Sequence, residues 1–356
     1  MEVLTRGRQL VRLKIYILRR LLLLIPVLLG LTIITFTLSN VVTDPTSAWV
    51  TDRTPPRVVD QIRKAHHFDQ PIVVQYYYYL NDLFHGDWGL SHSEAEEPVL
   101  SVIRRTFPAT VELATCATLI QIAVGLPLGI ISAVKKDKPI DHGSRLLALS
   151  GASFPVFWLA LIMQFVFFYS LKFHGLPYLP ATGQVDDFVL LDNPLKPVTG
   201  FIILDSLLTW NMPVFKDALA HIILPAFVLG FTGLGLITRI TRSSMLEVMR
   251  QDYVTLARAK GLPERVVIYK HALKNAINPT ITIIGMSFGS ILAGAPLTET
   301  VFSWPGMGKW AAYAIVSLDR ASIMGFALIT GIIFVLVNLI VDVLYSVVDP
   351  RVRVGE

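Results

Sequence analysis

Ser287 stands in Gly285-Met286-Ser287-Phe288-Gly289, the G-x-S-x-G spacing of a hydrolase nucleophile, with His221 and His271 as the bases such a triad would need. A nucleophile elbow requires a strand, a sharp turn and a helix to expose its hydroxyl. This pentapeptide instead sits inside an apolar run, 277–297, where glycines four apart make a smooth face for helix packing, as Gly125 and Gly129 also do. Gly308-Lys309 has the ending of a phosphate-binding P-loop, but Ser303 stands where the first glycine belongs and Trp310 follows the lysine. No nucleotide-binding motif is found, so any ATP hydrolysis must come from another chain. His66-His67 suggests a metal pair, yet adjacent side chains point apart in a helix or strand, and no Cys or acidic partner lies at ligand spacing. Cys116, the single cysteine, reads as a small packing residue rather than a redox or cluster ligand. Catalytic, metal-binding and cofactor-binding residues are therefore all expected to be absent.

The elements that carry these residues are set by hydropathy. The 356 residues are 53% hydrophobic, with mean hydropathy +0.58. Runs of about 18 or more mostly uncharged residues can cross a bilayer. Six are present, at 21–42, 109–134, 146–171, 221–240, 277–297 and 323–348. Their polar residues are mostly Ser, Thr, Asn and Gln, which neighbouring helices can satisfy. The expected fold is an all-α polytopic membrane protein with six transmembrane helices. The first run is longer than a signal-peptide core and Ser47-Ala48 is a weak cleavage site, so it reads as an uncleaved helix.

Net charge is +5 with a pI near 9.2. Lys and Arg concentrate before the first run (Arg6 to Arg20), at Lys135–Arg145, at Arg239–Lys274 and at Arg351 and Arg353; the alternate connections carry fewer over longer stretches. This is the positive-inside pattern of a multi-pass cell-membrane protein with both termini cytosolic. No basic stripe interleaves with aromatics, which argues against nucleic acid.

Organisation along the chain is uneven. Residues 1–105 read as a first helix plus a long outer segment, and 106–356 as a five-helix core. In the outer segment Asp69-Gln70-Pro71 is a helix start, Val73, Tyr77, Leu80 and Phe84 share a face, Gly86 is a stop, and the Tyr76–Tyr79 run suits a membrane interface. That segment either meets a partner or is only a structural cap. A second long outer connection, 172–220, holds the apolar stretch 201–208, too short to cross and hence interfacial or re-entrant. No internal repeat is evident, unlike carriers built from inverted halves. Polar groups in or near spans are Glu112, Gln121, Gln164, Asn338 and Asp342, with structural bonds expected for Glu112 and Asp342. Ser287, Ser290 and Gly294, small residues of the fifth run, are the pathway-lining candidates.

Residues 241–274 form the most distinctive stretch, a polar and basic connection far longer than a linker requires. Leu246, Met249, Tyr253 and Leu256 recur at helical spacing. Ala257 and Ala259 keep the helix slim next to Gly261, which can reverse the chain, and Pro263 with Glu264 opens a second helix that Val266, Val267, Tyr269, Ala272 and Leu273 carry back to the bilayer. Such short helices are marginal alone in water. The pair therefore either seats in a protein groove or lies on anionic headgroups.

The segment Tyr253-Val254-Thr255-Leu256-Ala257-Arg258-Ala259-Lys260-Gly261, followed by Leu262 and by His271-Ala272-Leu273-Lys274-Asn275-Ala276, resembles the EAA loop of binding-protein-dependent ABC importer permeases. More narrowly, the chain is similar to the first (B-type) permeases of dipeptide, oligopeptide and nickel importers. Further matches occur in order along nearly the whole chain: the apolar N-terminal stretch, Asp69–Ile72, Gly86–Ser91, Pro108–Leu113, Leu179–Gly183, Thr300–Phe302, Pro305–Gly308, Asp342 and Asp349–Arg353. One departure is Thr255 at the position of the acidic residue that names the loop. The resemblance implies the type I importer permease fold, a second homologous permease, two cytosolic ATPases that bind ATP and Mg, and an extracytoplasmic solute-binding protein. It also implies that Tyr253, Thr255, Ala257, Arg258, Ala259, Lys260, Gly261 and Leu262 couple this chain to the ATPase. The expected cargo is a dipeptide, a longer peptide, a nickel chelate or an oligosaccharide. The rival readings are an ion-coupled secondary transporter, which would need carboxylates central in the spans, and a membrane-embedded hydrolase acting through Ser287.

Overall fold

The computed structural model describes residues 21–37, 46, 50 and 54–348, with side chains in the last helix described through Val341 and at Val343. Both chain ends, the 38–42 part of the first run, Ser47-Ala48, the Asp342 side chain and the Asp349–Arg353 motif lie outside the described residues.

The chain is a bundle of helices. Among the described residues four are long and apolar enough to cross a membrane: α4 (Val99–Val134), α6 (Val156–Phe173), α9 (Met212–Val248) and α15 (Arg320–Val348), whose described apolar stretch is Arg320–Val341. A shorter apolar helix, α1 (Leu21–Thr37), covers the described part of the first run, and α12 (Asn278–Leu292) covers the fifth. At 1.5 Å per residue α12 reaches only about 22 Å, short of the roughly 30 Å hydrocarbon core. The helix-breaking Pro279 starts it and Gly294, with φ +107°, follows its end.

Several expected boundaries move, among them those of the fourth run, which is helical over Met212–Val248. The second run begins at Val99 rather than at 109, because α4 continues through Pro108 and carries a π-turn at Gln121–Gly125. The third run is broken: Phe154-Pro155 separates α5 (Pro139–Ser153) from α6, since the residue before proline avoids helical backbone. Phe154 accordingly adopts ψ 129°.

Around α9, backbones approach where side chains vanish. A Cβ on Gly129 of α4 would lie 2.6 Å from Thr241 Cβ and 2.8 Å from the Thr238 carbonyl, and one on Gly235 would meet the Ala148 carbonyl of α5 at 2.1 Å. Thr238 Oγ1 donates to the Gly125 carbonyl at 3.2 Å across the same seam. On the other flank α12 packs on α15, with Gly285 and Gly289 against Val341 and Val337. The G-x-S-x-G run is thus a helix-packing face.

One end of the bundle carries the outer segments. There α2 (Pro56–Ala65) and α3 (Ile72–Phe84) precede a two-residue hairpin, β1 (Leu90–Ser91) with β2 (Glu97–Pro98). Pro71 caps α3 rather than opening it. The face of α3 turned to protein is also not the aliphatic one: Val73, Tyr77 and Phe84 are exposed, while Tyr76 and Tyr79 pack against Phe36 of α1. His67 stacks on Tyr78 at 4.0 Å and His66 on Phe68, so the histidine pair serves ring packing. Short helices α7 (Asp187–Asp192) and α8 (Ile202–Leu208) follow in the long connection, with Leu204, Leu207 and Leu208 of α8 exposed.

Replacing Gly129 with leucine should destabilise the detergent-solubilised protein by about 2 kcal/mol or more, because Thr241 and the α9 backbone cannot retreat. Gly143 of α5 has open space around it, so Gly143→Ala should leave the melting temperature equal or slightly raised. Thermal unfolding of the two variants side by side distinguishes close packing from mere helix propensity.

Candidate functional site

Two places answer to the sequence candidates: a helical hairpin at the basic end of the bundle and a cavity midway along it.

The hairpin begins where α9 stops. Helix α9 runs 37 residues to Val248, so the first part of the expected 241–274 segment is a straight continuation of a span. Leu246 and Met249 consequently pack with Ile130, Ala133, Ile268 and Ala272 rather than on the hairpin's free face. After a turn at 249–251 come α10 (Asp252–Ala259) and α11 (264–276), which contains a π-turn at Val267–Ala272. Val254 and Ala257 of α10 bury against Val267 of α11, holding the two together. Tyr253, Thr255, Leu256, Arg258, Ala259, Lys260, Gly261 and Leu262 are exposed, so of the eight expected coupling residues Ala257 alone faces inward.

Backbone geometry shapes the tip. Gly261 has φ +70°, its N–H donates to the Arg258 carbonyl at 2.9 Å, and the Leu262 N–H reaches the Ala257 carbonyl at 3.4 Å. That bond pair is the Schellman termination, which favours a glycine at this position. Pro263 then caps α11, and Glu264 is its first residue. Arg258 clasps Glu264 through Nε at 3.2 Å and Nη2 at 2.7 Å. The clasp holds the Arg258 guanidinium above and the Glu264 carboxyl below its ordinary pKa. Because both groups are in water, the pair adds at most about 1 kcal/mol; its effect is to fix the angle of the tip. Asn275 Nδ2 donates to the Tyr253 hydroxyl at 2.8 Å, tying the base of α10 to α11. The outcome is a fixed hairpin whose exposed apolar groups, Tyr253, Leu256 and Leu262, are presented at its surface.

A buried ion pair joins the hairpin's root to the bundle. Asp141 of α5 accepts from Arg242 of α9 through Nε at 2.8 Å and Nη2 at 2.9 Å, from the Asp137 N–H at 3.0 Å, and from Ser132 of α4 through a very short contact. The Arg242 fork, with the other donors, holds the Asp141 carboxyl well below the usual carboxylate range. Sequence reasoning counted Arg242 only as a positive charge and passed over Asp141. A lone acid beside the Lys135–Lys138 run was the available signal.

The cavity, about 530 Å³, lies between α9, α12 and the π-turn of α4. Leu229, Thr232, Gly233 and Leu236 form one helical stripe, and Ile283, Met286, Ser287, Ser290 and Ile291 of α12 form the facing one, with Gly294 just past its end. All three pathway candidates, Ser287, Ser290 and Gly294, are among the lining residues. Gln121, buried at the start of the π-turn, donates to the Leu229 carbonyl at 3.2 Å and accepts from Ser287 Oγ at 2.9 Å. Gly233 leaves room for that amide, since a Cβ there would lie 2.2 Å from Gln121 Nε2. Two other polar residues of the spans, Glu112 and Gln164, make structural bonds. Glu112 accepts from Gln184 Nε2 at 2.6 Å and the Ile203 N–H at 2.8 Å, and Gln164 Nε2 donates to the carbonyls of Ala181 and Val301. Glu299 of α13 (Pro296–Val301), unremarked in the sequence, accepts from the Lys309 N–H at 2.8 Å and Thr110 Oγ1 at 3.2 Å, and so caps α14 (Met307–Val316). Among the described residues no cluster of three or more metal-ligating side chains occurs.

Comparison with known proteins places the chain. The model of the family described as binding-protein-dependent transport system inner membrane component matches residues 125–354, and the model of the N-terminal part of such membrane components matches residues 13–114. The probable D,D-dipeptide transport system permease protein DdpB of Escherichia coli (strain K12) is 45% identical over 333 residues, 93% of this chain and 95% of its own length. The dipeptide transport system permease protein DppB of the same strain is 42% identical over 342 residues, 95% of this chain and 98% of its own. Among solved structures, the inward-facing MetNI methionine ABC transporter is alike in fold, with TM-score 0.50 at 15% identity over 71% of this chain and 99% of that one.

Asp141→Asn should cost about 3 kcal/mol, because it leaves the Arg242 guanidinium without its buried counter-charge. The wild-type carboxyl is depressed in the fold. Its contribution is therefore complete above the ordinary carboxylate pKa, about 3.9, and is lost as pH falls through that value toward the depressed one. Thermal melts from pH 7 to pH 3 should show a steeper acid loss for wild type than for the asparagine variant.

Proposed function

The chain belongs to the family of binding-protein-dependent transport system inner membrane components, and on that premise we propose that it forms half of the translocation path of an ATP-driven importer for short peptides. The cargo class is drawn from the dipeptide permeases it resembles over most of its length. A second permease supplies the other half, two ATPases drive the cycle, and an extracytoplasmic binding protein delivers the peptide. The hairpin and both chain ends face the cytosol, as the lysine and arginine distribution requires.

The observation that carries this reading is the hairpin of α10 and α11. It is rigidly terminated at Gly261, braced by Arg258 and Glu264, and rooted in α9, yet it displays Tyr253, Leu256 and Leu262 to solvent. Each such group contributes roughly 1.5–3 kcal/mol when fully buried. Seated in an ATPase cleft, the three would couple nucleotide-driven closure to α9. A ligand or partner shifts a conformational equilibrium only by its differential contact with the two states. A hairpin fixed to a span by packing supplies that contact.

Gly261→Val places a β-branched residue at φ +70° and should break the Schellman turn. In membranes holding the assembled complex, the variant should be inserted at wild-type level. Its ATP-driven uptake of radiolabelled alanyl-alanine should fall at least about tenfold, as loss of one well-buried anchor implies. Wild-type uptake by this variant would refute the coupling assignment.

A further inference from the structure

The cavity beside α9 and α12 carries a chemical signature that the family assignment does not supply. Its polar groups are Gln121, Thr232, Ser287, Ser290 and Thr298, and among the described residues no ionisable side chain lines it. Thr298 is 1% exposed, and its Oγ1 has no hydrogen-bond partner among the described residues. A buried hydroxyl left unpaired is costly in a fold that satisfies its neighbours. Thr298 is one of the residues around a cavity whose volume, about 530 Å³, falls within the range of small-molecule sites. Ser290 is exposed to the same space, and Gln121 is held by Leu229 and Ser287 with one amide hydrogen still free. Gln121 also begins a π-turn, a helix irregularity that often marks functional sites.

We infer that this cavity is a cargo subsite that reads the peptide main chain by neutral hydrogen bonds. Thr298, Ser290 and Gln121 engage amide N–H and C=O groups, and this chain offers no ionic contact to the cargo's termini or side chains. The inference rests on the importer reading above and adds a consequence for selectivity. With neutral donors and acceptors interleaved with apolar groups such as Leu236 and Met286, this half of the path is indifferent to whether a side chain is cationic, anionic or neutral. Discrimination by charge then has to arise in other subunits.

The test uses the complete importer in proteoliposomes, loaded with ATP and assayed with radiolabelled alanyl-alanine, alanyl-lysine and alanyl-glutamate. Ser290→Asp introduces one charge into the cavity and should shift the alanyl-lysine to alanyl-glutamate uptake ratio by about tenfold toward the cation. Affinity of the separate binding protein for each peptide should not change. Thr298→Val should slow uptake of all three equally, with Thr298→Ser restoring it. Where the aspartate variant fails to assemble, Ser290→Cys in the assembled complex, modified by a negative or a positive methanethiosulfonate, makes the same comparison, and the two reagents should move the ratio in opposite directions. An unchanged ratio in complexes that still couple ATP to uptake overturns the subsite. Absence of ATP-dependent uptake by the wild-type complex overturns the importer reading, and this inference with it.

Discussion

The close approach of α9 to α4 and α5 is the constraint on which everything else in this molecule depends. Without a bulk hydrophobic force between helices in lipid, association rests on van der Waals packing and hydrogen bonds, and both require backbones to come near. Gly129 and Gly235 remove the side chains that would keep them apart, and Thr238 adds a bond to the Gly125 carbonyl. That seam sets the register of α9 against its neighbours. The register in turn places Gln121 opposite Ser287, Arg242 on Asp141, and the root of the hairpin beneath α4.

A mechanical consequence follows from this arrangement. Helix α9 touches the cavity with its middle and the hairpin with its end, and it is uninterrupted over 37 residues. A load applied at α10 and α11 is therefore applied to the wall that holds Leu229, Thr232 and Gly233. The buried Asp141–Arg242 pair prevents the end of α9 from sliding independently of α5. Buried ion pairs are seldom the cheapest source of stability, since desolvation offsets much of their attraction. One that fixes register at the junction of a lever and its bundle has a role that apolar packing fills less well.

Much of this was legible in the sequence, for definite reasons. Apolar runs of bilayer length identify spans whatever their neighbours, because unsatisfied backbone in lipid is prohibitive. Gly261 before a proline announced its turn, and the structure gives it φ +70°. What could not be read was set by contacts distant in sequence. The face of α3 turned to protein is chosen by Phe36, forty or more residues earlier in the chain, and it selects Tyr76 and Tyr79 over the aliphatic stripe. The apolar positions 246–256 looked like a single stripe, but a turn at 249–251 divides them between α9 and a solvent-facing α10. Asp141 and Glu299 carried no motif at all, because their partners are Arg242 and the start of α14.

The claim at the centre of this account is that a separate motor grips the tip of the hairpin. A cysteine placed at Ala259, exposed beside Gly261, and cross-linked in intact membranes tests it most directly, with the captured species identified by mass spectrometry. The account predicts capture of a chain bearing a nucleotide-binding P-loop, at a yield that changes when ATP is added. Capture of lipid alone, or reaction of this cysteine with a membrane-impermeant reagent from the outer side, would contradict it.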